Sequence, residues 1–132
     1  MAKPKIRHLA IITRDTEKVA AFYKSVFEME VIRDADGGIF LSDGYLTLAI
    51  LPHRLEGSSA VGLNHFGFTV DSRSEIAQRI AEQGLEDPKP RPANRPYAEY
   101  RAADPEGNMF DLSEHGFERA ELTPAREAVH SR

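Results

Sequence analysis

The feature that most constrains this chain is a strand written twice. Ile6-Arg7-His8-Leu9-Ala10-Ile11-Ile12-Thr13 and Leu63-Asn64-His65-Phe66-Gly67-Phe68-Thr69-Val70 are both short apolar runs with one imidazole at the same point. Val, Ile, Phe and Thr suit a pleated surface. Each run closes on a polar cluster, Arg14-Asp15-Thr16 in one copy and Asp71-Ser72-Arg73-Ser74 in the other. An amphipathic helical pattern follows both. Two matched strands, each carrying one His, predict a duplicated fold with a single site between the halves.

The rest of the chain repeats in the same order. After Ile6–Thr13, Asp15 or Thr16 caps a helix that runs to about Glu28, with Val19, Phe22, Tyr23, Val26 and Phe27 as its apolar stripe and Phe22 and Tyr23 expected in the core. Strands are expected at Met29–Asp34, Ile39–Leu41 and Tyr45–Leu51, with turns at Asp36-Gly37-Gly38 and Asp43-Gly44. Residues 53–61, which hold Gly57, Ser58 and Ser59 between Pro52 and Gly62, read as the linker between a first module over 5–52 and a second over 62–115. In the second module, Ser72 or Ser74 caps a helix that stops at Gly84. A weak strand at Glu86–Arg91, a loop at 92–96, and strands at Tyr97–Ala102 and Met109–Glu114 complete it, the last two joined by a turn at Asp104–Gly107. Residues 116–132 read as a polar helix or a loose tail of the same single domain. The fold class is therefore α+β. Matching the turns on Gly44 and Gly107 sets Leu48 opposite Asp111 in the repeat.

Composition narrows the function classes. A formal net charge of −4, with both signs interspersed, offers no basic face for nucleic acid. No apolar run approaches the ~20 residues of a membrane span, and Met1–Lys5 lacks the apolar core of a signal peptide. There is no Cys, hence no disulfide framework and no thiol chemistry. A cytoplasmic protein acting on a small molecule is the expectation.

Asp111 is the anomaly. It stands in Met109-Phe110-Asp111-Leu112, in the middle of an apolar strand. A buried carboxylate costs several kcal/mol unless it is paired or bound to metal. His8 and His65, on the duplicated strands, are the partners at hand. Two neutral imidazoles and one carboxylate make a facial triad with open positions on Fe(II), Mn(II), Zn(II), Ni(II) or Co(II). Strand parity selects Asp111 over Glu114, which points the other way. Folding the last hairpin about Asp104–Gly107 sets Tyr100 across from Asp111, as a candidate catalytic hydrogen-bond donor. Arg91, Asn94, Arg95 and Tyr97 are read as loop residues in solvent, within reach of a substrate. His53 and His115, beside turns, are expected to be exposed.

Over about residues 5 to 115 the chain resembles the vicinal oxygen chelate superfamily of glyoxalases, bleomycin resistance proteins and extradiol dioxygenases. The resemblance is carried by the His8 and His65 strands, Thr47-Leu48-Ala49-Ile50, and Asp104-Pro105-Glu106-Gly107-Asn108 leading into Phe110-Asp111-Leu112. It implies paired βαβββ modules whose curved mixed sheets enclose a cleft, and a divalent metal there that chelates two adjacent substrate oxygens. It also implies a homodimer. In glyoxalase I a fourth ligand, a Glu, falls at the position of Leu48. Dioxygenases and fosfomycin-resistance transferases use two His and one Glu, which matches His8, His65 and Asp111, although Asp is one methylene shorter. Tyr100 resembles the dioxygenases' Tyr near the metal. Their acid–base histidines have no counterpart, since Leu46 and the loop 91–95 stand there. The resemblance thus implies an Fe2+ or Mn2+ extradiol dioxygenase first. A Zn2+, Ni2+ or Co2+ glyoxalase-type lyase or isomerase, a transferase, or a metal-free drug-binding protein follow as alternatives.

Overall fold

The computed structural model describes residues 3–35, 37–54, 60–92 and 98–114. The expected tail, the middle of the linker and the loop residues Asn94, Arg95 and Tyr97 lie outside them, as do His115 and His130. In chain order the elements are β1 (Lys5–Thr13), α1 (Thr16–Phe27), β2 (Glu30–Ala35), β3 (Gly38–Ser42) and β4 (Thr47–Pro52). The second set is β5 (Gly62–Thr69), α2 (Arg73–Glu82), β6 (Lys89–Pro90), β7 (Tyr100–Ala103) and β8 (Met109–Ser113). This is βαβββ written twice, as the repeat predicts.

Local chemistry explains the boundaries. Asp15 caps α1 by accepting from Lys18 N at 3.0 Å, and Ser72 rather than Ser74 caps α2 by accepting from Glu75 N at 3.2 Å. Gly84, at φ +77, ends α2 in the left-handed region where a Cβ is unwelcome. β4 begins at Thr47, two residues later than expected. Asp43 binds the Tyr45 and Leu46 amides at 2.8 and 2.7 Å and commits them to the turn. The expected strand at Glu86–Arg91 shrinks to β6, where prolines limit the ladder.

The eight strands form one curved, open mixed sheet in the order β2-β3-β4-β1-β5-β8-β7-β6. β1 pairs parallel with β4 and β5 parallel with β8, and the antiparallel β1–β5 pair joins the halves. Its register sets His8 opposite Gly67 and Ala10 opposite His65. These two pairings exchange when the strands are swapped, so a local two-fold relates His8 to His65.

The two faces of the sheet differ. Ala20 of α1 packs with Ile39, Leu41 and Ile50, while Val19, Tyr23 and Leu48 pack around that cluster. Burying Leu41 and Ile50 completely is worth about 2 kcal/mol each. The other half of the α1 stripe stays outside, with Phe22 52%, Val26 54% and Phe27 62% exposed. The expectation that Phe22 lies in the core is therefore corrected. The sheet covers only the side of α1 that carries Val19, Ala20 and Tyr23. On the α2 side, Arg73 lies over the Tyr100 ring at 4.2 Å, and Phe66, Phe68 and Phe110 pack together. The opposite face of the sheet holds Thr47, Ala49, His8, His65, Asp111 and Arg101.

Two expectations about register fail for one reason. The β3–β4 connector is residues 43–46, whereas the β7–β8 connector is residues 104–108 and so one residue longer. Asp104 makes Asn108 part of the turn, accepting from Asn108 N and Nδ2 at 2.9 Å each. The ladder therefore pairs Tyr100 with Leu112 and Arg101 with Asp111. Tyr100 does not face Asp111; it points to the α2 side. In the same way Ala10 pairs with Ala49 where Gly67 pairs with Asp111. Ala49, not Leu48, is the first-half counterpart of Asp111.

Candidate metal centre

The site is one row of ladder partners crossing the sheet. Thr47, His8, Gly67, Asp111 and Arg101 are consecutive partners on β4, β1, β5, β8 and β7. Cross-strand partners project to one side. Gly67 is the gap in that row, with no side chain between His8 and Asp111. Its φ is not positive, so the backbone does not require glycine there. His65, two residues before Gly67 on β5, reaches into the gap from the next row.

His8, His65 and Asp111 are all buried, at 5%, 8% and 0% exposure. Each offers a ligand atom, and these atoms lie within 4.8 Å of one another. The imidazole rings stand 5.5 Å apart, tilted by 42°. His65 Nε2 is 3.2 Å from Asp111 Oδ2. Two ligands about 2.1 Å from one ion and at right angles are about 3.0 Å apart, so this pair suits adjacent positions on a metal. His65 Nδ1 lies 2.7 Å from Asn64 Oδ1. With that hydrogen bond assigned as Nδ1–H donating to the amide oxygen, Nε2 carries its lone pair into the gap. Two acceptors then face each other at 3.2 Å, which requires a positive charge between them: a proton on Nε2, an arginine N–H, or a metal ion.

The charges agree with a ligand set. Burial, reinforced by the charge of His65, lowers His8 from 6.5 to about 4 against the pull of Asp111, which Arg101 partly offsets. His8 is therefore a neutral imidazole at pH 7, the form that binds metal. Burial pushes the Asp111 carboxyl up. Its contacts with His65 and with the Arg101 guanidinium outweigh burial and bring the carboxyl from 3.8 down to about 2. The donors, their ionisation and the 3.2 Å pair all fit a divalent metal.

Arg101 escapes the sequence reading altogether. Its Nε donates to Asp111 Oδ1 at 2.7 Å, and Nη2 lies 3.2 Å from both Oδ2 and His65 Nε2. A signal for it exists, because a carboxylate in an apolar strand calls for a cation across the ladder. A turn counted one residue short puts Tyr100 in that place. Asn64 and Gly67 carry no comparable signal and look like plain strand residues. Glu99, two residues before Arg101, accepts from Ser113 Oγ at 2.7 Å and Glu114 N at 2.8 Å, so its carboxylate is tied to the sheet. Thr47 Oγ1, beside His8, is buried with no hydrogen-bond partner among the described residues. His53 is half-buried rather than exposed, its amide donating to Thr13 O at 2.8 Å. The other expected loop residue within view, Arg91, donates its amide to Glu99 O and so extends the β6–β7 pairing.

Known proteins share this fold. The sequence profile described as the Glyoxalase/Bleomycin resistance protein/Dioxygenase superfamily matches residues 5–112. "Uncharacterized protein YwkD" of Bacillus subtilis (strain 168) is 32% identical over 98 residues, covering 65% of this chain and 77% of its own length. Among solved structures, hypothetical protein BH1468 from Bacillus halodurans C-125 superposes with a TM-score of 0.66 at 20% identity, covering 84% of this chain and 94% of that one. A methylmalonyl-CoA epimerase in complex with methylmalonyl-CoA and NH4+ gives 0.64 at 19% identity, covering 87% and 98%. A variant of the Streptomyces coelicolor methylmalonyl-CoA epimerase, in complex with 2-nitronate-propionyl-CoA, gives 0.63 at 20% identity, covering 85% and 96%. At these identities the solved structures speak for the fold alone. Among the described residues, no helix is long and apolar enough to cross a membrane.

Proposed function

Because this chain belongs to the glyoxalase/bleomycin resistance protein/dioxygenase superfamily, we propose that it is an enzyme holding one divalent metal ion on His8, His65 and Asp111 and acting on a small substrate with two adjacent oxygens. The observation that carries this reading is the convergence of three buried donors, from three neighbouring strands, on the gap over Gly67. When bound, the metal supplies Lewis-acid polarisation of the substrate oxygens and a template for them.

The chain's own residues do the rest. His8 stays neutral because burial resists its protonation. Asn64 orients His65, and Asp111 brings the one negative charge of the triad. Arg101 holds the carboxylate in plane. An isomerase or lyase that stabilises an oxyanion or enolate is the reading these residues support best. The two-His-one-carboxylate set also suits Fe(II) and extradiol ring cleavage. That reaction needs a proton donor on the site face, and Tyr100 lies on the other side of β7. A metal-free binding protein is the second reading, favoured by the guanidinium already seated on two of the three donors.

Elemental analysis of protein purified without metal-bearing tags tests the reading. About one Zn, Ni or Co per chain supports the isomerase or lyase branch, and about one Fe or Mn moves it to the dioxygenase branch. No metal, even after reconstitution with each ion, overturns it in favour of the binding protein.

A further inference from the structure

Arg101 sits on the lone pairs that a metal would use. Nη2 lies 3.2 Å from Asp111 Oδ2 and 3.2 Å from His65 Nε2, while Nε holds Oδ1 at 2.7 Å. An imidazole nitrogen has a single lone pair, so His65 Nε2 cannot serve a guanidinium and a metal at once. A metal on His65 Nε2 would therefore displace Nη2 from that nitrogen, while Asp111 has lone pairs enough to keep its bonds to the guanidinium. The displaced N–H stays beside a dication, on a side chain 24% exposed, where an unmet donor is costly. Nη1 also makes no hydrogen bond among the described residues. Charge adds a second argument. Asp111 and Arg101 cancel and the imidazoles bind metal as neutral ligands, so a divalent ion leaves its full double positive charge at the site.

Resting on the metal reading above, we propose that Arg101 determines substrate charge by changing partners. In the metal-free protein its guanidinium holds the donors together. In the loaded protein its unengaged N–H groups grip a carboxylate of the substrate while the adjacent substrate oxygen reaches the metal. The planar fork matches a carboxylate, so the preferred class is small 2-oxo or 2-hydroxy acids over neutral diols and dicarbonyls.

The experiment compares the full chain as wild type, Arg101→Met and Arg101→Lys. The dissociation constant for Mn2+ is read from the electron paramagnetic resonance of the free ion. Binding of pyruvate, and of its neutral isostere pyruvamide, is read from water-proton relaxation of the Mn2+-loaded protein. Without organic ligand, Arg101→Met binds Mn2+ at least tenfold more tightly than wild type, because its competitor is gone. Loaded wild type prefers pyruvate over pyruvamide by tenfold or more; Arg101→Met loses that preference and Arg101→Lys keeps part of it. Equal or weaker Mn2+ binding by Arg101→Met, or an undiminished pyruvate preference in it, overturns the proposal. Should Arg101→Met not fold, Arg101→Lys decides: a preference as strong as wild type's refutes the role of the planar fork. If Mn2+ and Zn2+ bind neither wild type nor Arg101→Met, the metal reading itself fails. Metal binding by Arg101→Met alone shows that the guanidinium does not yield to the ion in wild type, which overturns the change of partners.

Discussion

Replacing His8 with Phe isolates the cost of keeping one imidazole neutral in this sheet. In the folded chain His8 is 5% exposed and its pKa falls from 6.5 to about 4. Burial is the largest cause and the neighbouring His65 the second. Asp111 alone pulls upward, and Arg101 takes back part of that pull. Between pH 6.5 and 4 the unfolded chain binds a proton that the folded chain refuses, so stability falls as pH falls through this window. A pKa lowered from 6.5 to about 4 corresponds to about 3 kcal/mol, most of it already lost at about pH 4.5. Against a total stability of about 5–15 kcal/mol, that loss is large enough to measure. The assay is urea unfolding of metal-stripped protein followed by circular dichroism at about pH 7 and about pH 4.5. With a slope of about 1.5 kcal/mol/M, the wild-type midpoint falls by roughly 1.5–2 M more than that of His8→Phe. Parallel falls in the two proteins would refute the claim that His8 is held neutral by burial.

Other perturbations separate the remaining parts of the site. Asp111→Ala abolishes metal binding and, by stranding Arg101, costs about 3–5 kcal/mol of stability, as isothermal titration and urea unfolding would show. Gly67→Val fills the gap between His8 and Asp111, so metal affinity falls tenfold or more while the circular dichroism spectrum is kept. Tyr100→Phe, on the α2 side of β7, leaves metal affinity within twofold of wild type; a larger loss would return Tyr100 to the site. Leu41→Ala empties a fully buried position in the core beneath α1 and costs about 2–5 kcal/mol, read as a lower thermal midpoint.

The order of elements, the pairing of the His8 and His65 strands and the buried Asp111 follow from local pattern alone. Strand chemistry, turn residues and the repeat are all written within a few residues of where they act. Parity along β8 likewise suffices to choose Asp111 over Glu114, because successive side chains alternate faces whatever the strand's neighbours. What lies opposite Asp111 is a different kind of fact. It depends on whether the turn after Ala103 ends at Gly107 or at Asn108, and the Asp104–Asn108 bonds of the folded hairpin settle that. One residue of turn length exchanges Tyr100 for Arg101 and, through the same offset, Leu48 for Ala49. It changes the partner of the carboxylate from a phenol to a cation. Side-chain period in a strand is two, so an error of one in register reverses every face it touches. The half-exposed stripe of α1 has a similar origin, since helical periodicity marks a stripe but not how much of it a sheet will cover. Which donors this protein owns is legible in the order of its residues. Which of them meet is fixed by folding, because register is set between strands and not along them.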